Sequence, residues 1–496
     1  MSYIKSHKEQ NWLLPPSIED LIPKDHVCYL VEGLVESLDY TGFDVKYEGA
    51  GHPAYHPTVI LKLLVMGVID KVRSSRRLAR SARENVVYMY LAEKLMPDFR
   101  TISDFRKENP AIVKAVFKHT VMLAKQQGLI DLSNFSTDGT KVKANASSKR
   151  VLTKDELSFL ISFVDNELKK WAEQDEKEDE VFGDLRGSDQ LPDGSKKKMQ
   201  KAVKDYVRKF RKKGDIFKKE VKTSLSRARD EVEKNQLKKA SVTDPESRFM
   251  GKKGKIELSY NSQVTVDKKG FILANDVCQD AVDKQQLRPQ FLQTEENLGS
   301  IPEGVGWNFD NGYFSGENLA FLERKNVDAY IPDLQLAQKD KGKQPRETFQ
   351  ESLTYDMKKD TFITPVGEVF VFLGEYFDRS KGLAKKDYVL RRDGKVVKTI
   401  HVYPYHVQRR NMADKMRTLQ ALEAYKLRQQ TVEPVFGDIK ENKGLRSFLT
   451  RSIQTVRTEF NLACIGHNIQ KLNSYQSKKL QRVLDQFLSF VKLPVM

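Results

Sequence analysis

The chain has 496 residues, 39% hydrophobic and 31% charged. That is enough apolar material for a core and excludes a wholly disordered chain. Lys and Arg number 85 against 68 Asp and Glu, a net charge of +17, which points to a polyanionic partner, nucleic acid ahead of an anionic membrane surface. The three cysteines, Cys28, Cys278 and Cys464, form no C-x-x-C pair, which argues against a disulfide framework or a cysteine zinc site. The segment 1–10 is polar and no run of about 18 apolar residues occurs, so neither a secretory signal nor a membrane span is expected, and the cytoplasm is the expected location.

Residues 11–130 read as helical. Pro57 opens an apolar run to Val72 and suits a first helical turn. Thr101 or Ser103 is positioned to cap TISDFRKEN, and helical spacing resumes after Pro110 and ends near Gly128. Residues 129–145 read as strand, turn, strand, with the turn at Asp138-Gly139. Residues 153–240 read as a helical insertion, acidic in its first part and dense in Lys and Arg over 196–222. A charge run of this kind is a solvated face or a contact with DNA phosphates.

Strand patterns return in KIELSYNSQVTVD and GFILANDVC, joined by Lys-Lys-Gly as a hairpin. A helix, a strand ending at Asp310-Asn-Gly312, a second helix and the strand VDAYIPD follow, and this alternation means an α/β sheet. Residues 335–410 read as a β-rich insertion. Long helices resume from about Asn411 and run to the end, with an interruption near Pro434.

Three acids stand out by context. Asp138 and Asp310 each end a strand, where ligands gather in α/β sheets. Glu433 precedes Pro434, which is tolerated in a first helical turn or at a kink and so reads as at or near a helix start, and Lys440 lies two helical turns further on the same face. Carboxylates brought together raise one another's pKa. A divalent cation removes that penalty, and magnesium takes one or two carboxylates per ion with phosphate oxygens and water as the rest. Taken alone, Asp-Gly is also a common turn former. Asp244, Arg248, Asn261 and Gln263 are candidates to line the same site, or are turn caps and strand pairs. Arg73, Arg76, Arg77, Arg80 and Arg83 recur at helical spacing, as a phosphate-contacting stripe or a solvated face. His52 and His56 read as loop or capping residues.

Together these segments resemble the DDE transposases of bacterial insertion sequences, in the branch whose third acid lies in a Tyr-x-x-Arg…Glu-x6-Lys signature. The matching residues are Tyr425, Arg428, Glu433 and Lys440. STDGTKVKANAS and NFDNGYFSGENLAFL resemble the segments of the first and second Asp, and TDPESRFMGKKGKIELSYNSQVTVD the stretch between them. GHPAYHPTVILKLLVMGV, RSSRRLAR and MPDFRTISDFRK extend the likeness to the front end, so that it spans roughly residues 10–475. The chain departs from the signature in having four residues, not three, between Arg428 and Glu433, and it lacks the cysteine clusters that relatives carry before the Glu helix.

The resemblance implies an α/β fold with an RNase H-like catalytic core over 129–475, interrupted by the helical insertion (about 150–242) and the β-rich insertion (about 335–410). A helical DNA-binding domain over 1–128 would precede it and a helical tail over 476–496 follow it. It implies Asp138, Asp310 and Glu433 as catalytic residues holding two Mg2+ ions, with Mn2+ as a substitute. Contacts to DNA are implied for Arg428 and Lys440, and expected from the stripe at Arg73, Arg76, Arg77 and Arg80. The implied activity is cleavage at the element's terminal inverted repeats and strand transfer into target DNA, by a homodimer or larger assembly in the bacterial cytoplasm, associated with the nucleoid when bound. A nuclease of the same fold that cuts without joining, and an inactive DNA-binding descendant, are the alternatives.

Overall fold

The computed structural model describes residues 17–41, 54–173, 214–252, 254–339, 342, 352–380 and 382–490. His52, the first part of the helical reading and most of the Lys- and Arg-rich stretch lie outside them.

The front of the chain forms helices α1 (Val27–Glu36), α2 (Pro57–Ile69), α3 (Ser75–Glu84), α4 (Val86–Leu91), α5 (Phe99–Glu108) and α6 (Pro110–Gln126). All of α2 is buried, so it is a central rod. Even Lys62 on it has no exposure and is neutralised by Glu36 (3.0 Å) and Glu93 (2.8 Å). His56 caps α2, its Nδ1 accepting from the Thr58 N–H. The cap of α5 is Asp98, three residues before the expected Thr101: its Oδ1 accepts from the N–H groups of Arg100 (2.5 Å) and Thr101 (3.2 Å).

The central sheet follows the order β4-β5-β1-β7-β8, with β6 also on β5. Its strands are β1 (Asn134–Lys143), β4 (Arg248–Lys252), β5 (Lys255–Asp267), β6 (Ile272–Cys278), β7 (Gly306–Phe309) and β8 (Asp328–Tyr330). β5 is antiparallel to β1, β4 and β6, whereas β7 is parallel to β1 and β8. The β5–β6 hairpin turns at Gly270, whose φ of +81° suits glycine. Helices α9 (Leu287–Leu298) and α10 (Gly316–Arg324) connect the later strands.

Two smaller units leave this sheet. Between β2 (Val151–Thr153) and β3 (Lys239–Ser241) stand α7 (Lys154–Glu173) and α8 (Gly214–Lys234). They share a small core that includes Leu157, Leu160, Leu225 and Val232. After β8 and the short α11 (Leu334–Lys339) come five antiparallel strands: β9 (Thr354–Asp356), β10 (Thr361–Ile363), β11 (Val369–Asp378), β12 (Leu383–Arg392) and β13 (Lys395–Val402). Their core includes Phe362, Phe370, Tyr388 and Ile400.

The chain closes with α12 (His406–Lys415), α13 (Leu419–Gly437), a π turn over Asp438–Asn442, and α14 (Ile453–Phe490). Here the structure corrects the sequence reading. Pro434 does not start a helix; α13 runs through it. The helix loses one hydrogen bond there, but Thr431, Val432, Val435 and Phe436 are buried, and packing overrides local propensity. The front helices, the central sheet and α14 share one contiguous core, from Ile22 to Leu472. All three cysteines are free and buried. No helix among the described residues is long and apolar enough to cross a membrane.

Candidate active site

Parallel pairing of β1 and β7 sets Phe135 beside Trp307 and Thr137 beside Phe309. The next residue on each strand is an acid, Asp138 on β1 and Asp310 after β7. The expected strand–turn–strand at Asp138-Gly139 is instead one unbroken strand. Glycine is needed there for space, because a Cβ on Gly139 would lie 2.2 Å from the Gln263 Nε2. Asp310 does end its strand: its Oδ1 accepts from the Asn311 N–H (2.6 Å) and caps a short 3-10 turn.

Asp138 is held by two donors, Gly139 N–H to Oδ1 (2.8 Å) and Arg428 Nη1 to Oδ2 (2.6 Å). Burial pushes its pKa up to about 6, and the carboxylates of Asp310 and Asp283 add to the rise against the pull of Arg428 and the Gly139 N–H. Burial alone would pull the Arg428 guanidinium down. Asp138, with Tyr425 and Asp310, reverses this and raises it above its ordinary value.

Side chains alternate along a strand, so Ser136, Asp138 and Thr140 share one face of β1. Helix α13 covers that face. Thr431 bonds Ser136 (2.9 Å), Arg428 bonds Asp138, and Lys440, in the π turn beyond α13, donates to Thr140. The Arg428 guanidinium lies 5.5 Å from the Tyr425 ring centre. Its Nε is buried and has no hydrogen-bond partner among the described residues. Glu433 is exposed on the same helix, and the structure does not gather it with Asp138 and Asp310. Its neighbours are otherwise engaged: Asp438 bonds His467 (2.7 Å) and Glu441 pairs with Arg446 (2.6 Å).

On the opposite face of β1 lies a residue that the sequence reading missed. Asp283 accepts from Asn261 (2.6 Å) and Gln263 (2.7 Å), and Lys141 stands 3.5 Å away. Asn261 and Gln263 therefore do belong beside the acids. Asp244 and Arg248 do not: Asp244 accepts from Tyr260 (2.8 Å) and the Ser452 N–H (3.2 Å), and Arg248 pairs with Glu231.

The arginine stripe divides. Arg76, Arg77, Arg80 and Arg83 are exposed on α3. Arg73 faces inward, where it donates to the carbonyls of Gly444 and Ser447 and pairs with Glu459. Its expected place in a DNA-contacting stripe is corrected, because it lies before α3 and both terminal nitrogens of its guanidinium are bonded inside the fold. A cleft of about 260 Å³ is lined by Lys284, Arg288 and Arg409 together with Ser315, Glu317 and Tyr405.

Among the described residues no three His, Cys, Asp or Glu side chains converge tightly enough to hold a metal. Asp138 and Asp310 nonetheless fit a divalent cation. The raised proton affinity of Asp138 comes from burial and from like charges, and a cation would remove that penalty. Arg428 already brings positive charge to one oxygen.

Two family models match parts of the chain. Residues 16–108 match a family described as Transposase domain (DUF772), and residues 385–473 match one described as Transposase DDE domain. No curated protein matches. The second match covers β12, β13, α12, α13 and most of α14, including Arg428, Glu433 and Lys440, and a DDE domain implies an RNase H-like fold, DNA as partner and a family that typically uses divalent metals. The chain thus carries a match to a transposase domain toward each end, consistent with a DDE transposase of an insertion sequence.

Proposed function

We propose that this transposase cuts DNA at the ends of its element and joins the freed 3′ ends to target DNA, with magnesium held by Asp138, Asp310 and Glu433. The observation that carries the proposal is the β1–β7 register, which makes Asp138 and Asp310 the next residues on adjacent parallel strands. When bound there, magnesium supplies the charge that steadies the scissile phosphate and lowers the proton affinity of the attacking hydroxyl.

The chain's own residues do the positioning. Arg428 has a buried Nε without a partner among the described residues, a donor for a phosphate oxygen beside Asp138. Tyr425 packs near its guanidinium. Lys440, tethered to Thr140, adds a positive charge two residues along β1 from Asp138. Arg76, Arg77 and Arg80 on α3, and Lys284, Arg288 and Arg409 in the cleft, take backbone phosphates away from the reacting one. Glu433, exposed on the helix that covers Asp138, is the third acid in this reading. Two ends must be held for joining, so the working form is a dimer or larger assembly on DNA.

Strand transfer tests the joining half. A duplex of the element's end with a pre-cut 3′-OH is incubated with plasmid and Mg2+. Joined product is expected with wild type and none with Asp310→Asn; nicking without joined product from wild type would contradict the proposal.

A further inference from the structure

Two glycines follow the two acids, Gly139 directly after Asp138 and Gly312 two residues after Asp310. Neither has the positive φ that demands glycine. Both instead make room for Asp283, Gly139 for Gln263 as well. A Cβ on Gly139 would stand 2.8 Å from Asp283 Oδ1, and one on Gly312 would stand 3.0 Å from Asp283 Oδ2. One carboxylate is thus wedged against the backbone behind both acids.

That carboxylate is itself held. Its Oδ1 takes hydrogen bonds from Asn261 and Gln263, both fully buried on β5, opposite Lys141 and Gly139 in register. Gln263 in turn accepts from the buried Tyr313 hydroxyl, in the 3-10 turn that Asp310 caps. Lys141, on the same face of β1 as Gly139, offsets the charge. The network therefore joins β1, β5, the segment before α9 and the turn after β7, and it meets both acid-bearing backbones from the face away from Arg428.

We propose that Asp283 is a positioning residue: through Gly139 and Gly312 it sets the spacing of Asp138 and Asp310 that a divalent cation needs, without itself holding the ion. The inference rests on the reading of Asp138 and Asp310 as metal-holding acids. Removing a group that orients metal ligands typically weakens metal affinity or activity by about 10- to 100-fold.

The test titrates Mn2+ into the full-length chain and reads free Mn2+ by electron paramagnetic resonance, with no DNA and no turnover. Asp283→Ala is expected to weaken Mn2+ binding by about 10- to 100-fold. Asp283→Asn recovers most of that loss, because its amide oxygen still accepts from Asn261 and Gln263. Gly312→Ala leaves every polar partner in place and adds one methyl against Asp283; it is expected to weaken binding in the same direction, and it serves if Asp283→Ala does not fold. Wild-type Mn2+ affinity in Asp283→Ala or in Gly312→Ala, with binding lost in Asp138→Asn, would overturn the inference and leave the reading of the acids standing. Asp283→Asn as weak as Asp283→Ala would also overturn it, since charge and not the clamp would then matter. Undiminished Mn2+ binding in Asp138→Asn would overturn the reading of the acids and the inference with it.

Discussion

Asp138 carries a proton affinity suited to a group that exchanges a proton for a metal. Its pKa of about 6, against an ordinary 3.8, means that the folded, metal-free chain holds this proton more tightly than the unfolded chain does. The contribution of Asp138 to stability is therefore fully present below about pH 4 and is lost as pH rises through about 6. Metal binding needs the ionised carboxylate, so it follows the opposite course. We predict that Mg2+ raises the thermal unfolding midpoint at pH 7.5 and does so much less at pH 5; equal rises at the two pH values would contradict the assignment. The residue scale is also where the sequence was least legible. Asp138 and Asp310 stood out through the glycines beside them, but the reason for those glycines lies in Asp283 and, for Gly139, also in Gln263. It is distant from both acids in sequence, and its segment, QDAVDKQQL, has no feature that predicts the contact.

At the scale of elements, the arginines before and on α3 show what periodicity can and cannot tell. Helical spacing groups Arg73 with Arg76, Arg77 and Arg80, yet Arg73 lies just before the helix and turns toward Glu459. Spacing alone does not say where a helix begins or which neighbour covers its end. We predict that Arg73→Ala destabilises the fold by about 3–5 kcal/mol, as expected when one partner of a buried ion pair is removed, with unchanged salt dependence of DNA binding. Arg76→Ala, Arg77→Ala and Arg80→Ala should leave the thermal midpoint close to wild type, while each lowers the slope of log K against log salt by about one. A stable Arg73→Ala chain with a reduced slope would reverse the assignment. Helix α13 shows the converse limit. Pro434 is a genuine local signal for a helix start, but the helix is decided by residues that pack on the sheet, Thr431, Val432, Val435 and Phe436. Those contacts are not local in sequence.

On the scale of the molecule, the alternation of strands and helices was legible from composition and spacing, including the β5–β6 hairpin and the strands either side of α10. The parallel pairing of β1 with β7 was not, because these strands are separated by about 160 residues whose described part holds three α-helices and five strands. Nor did the sequence show that the front helices share one core with the sheet and α14. That continuity connects the exposed arginines of α3 to the acids through packed side chains, with Arg73 joining the start of α3 to the loop after the π turn. The most direct test of the central claim is Mg2+-dependent cleavage of a labelled duplex carrying the DNA that flanks the gene, with wild type beside Asp138→Asn and Glu433→Gln. The account predicts a defined cut by wild type that EDTA abolishes, and no cut by either variant although both still bind the duplex. Cleavage retained by Asp138→Asn or by Glu433→Gln would contradict it.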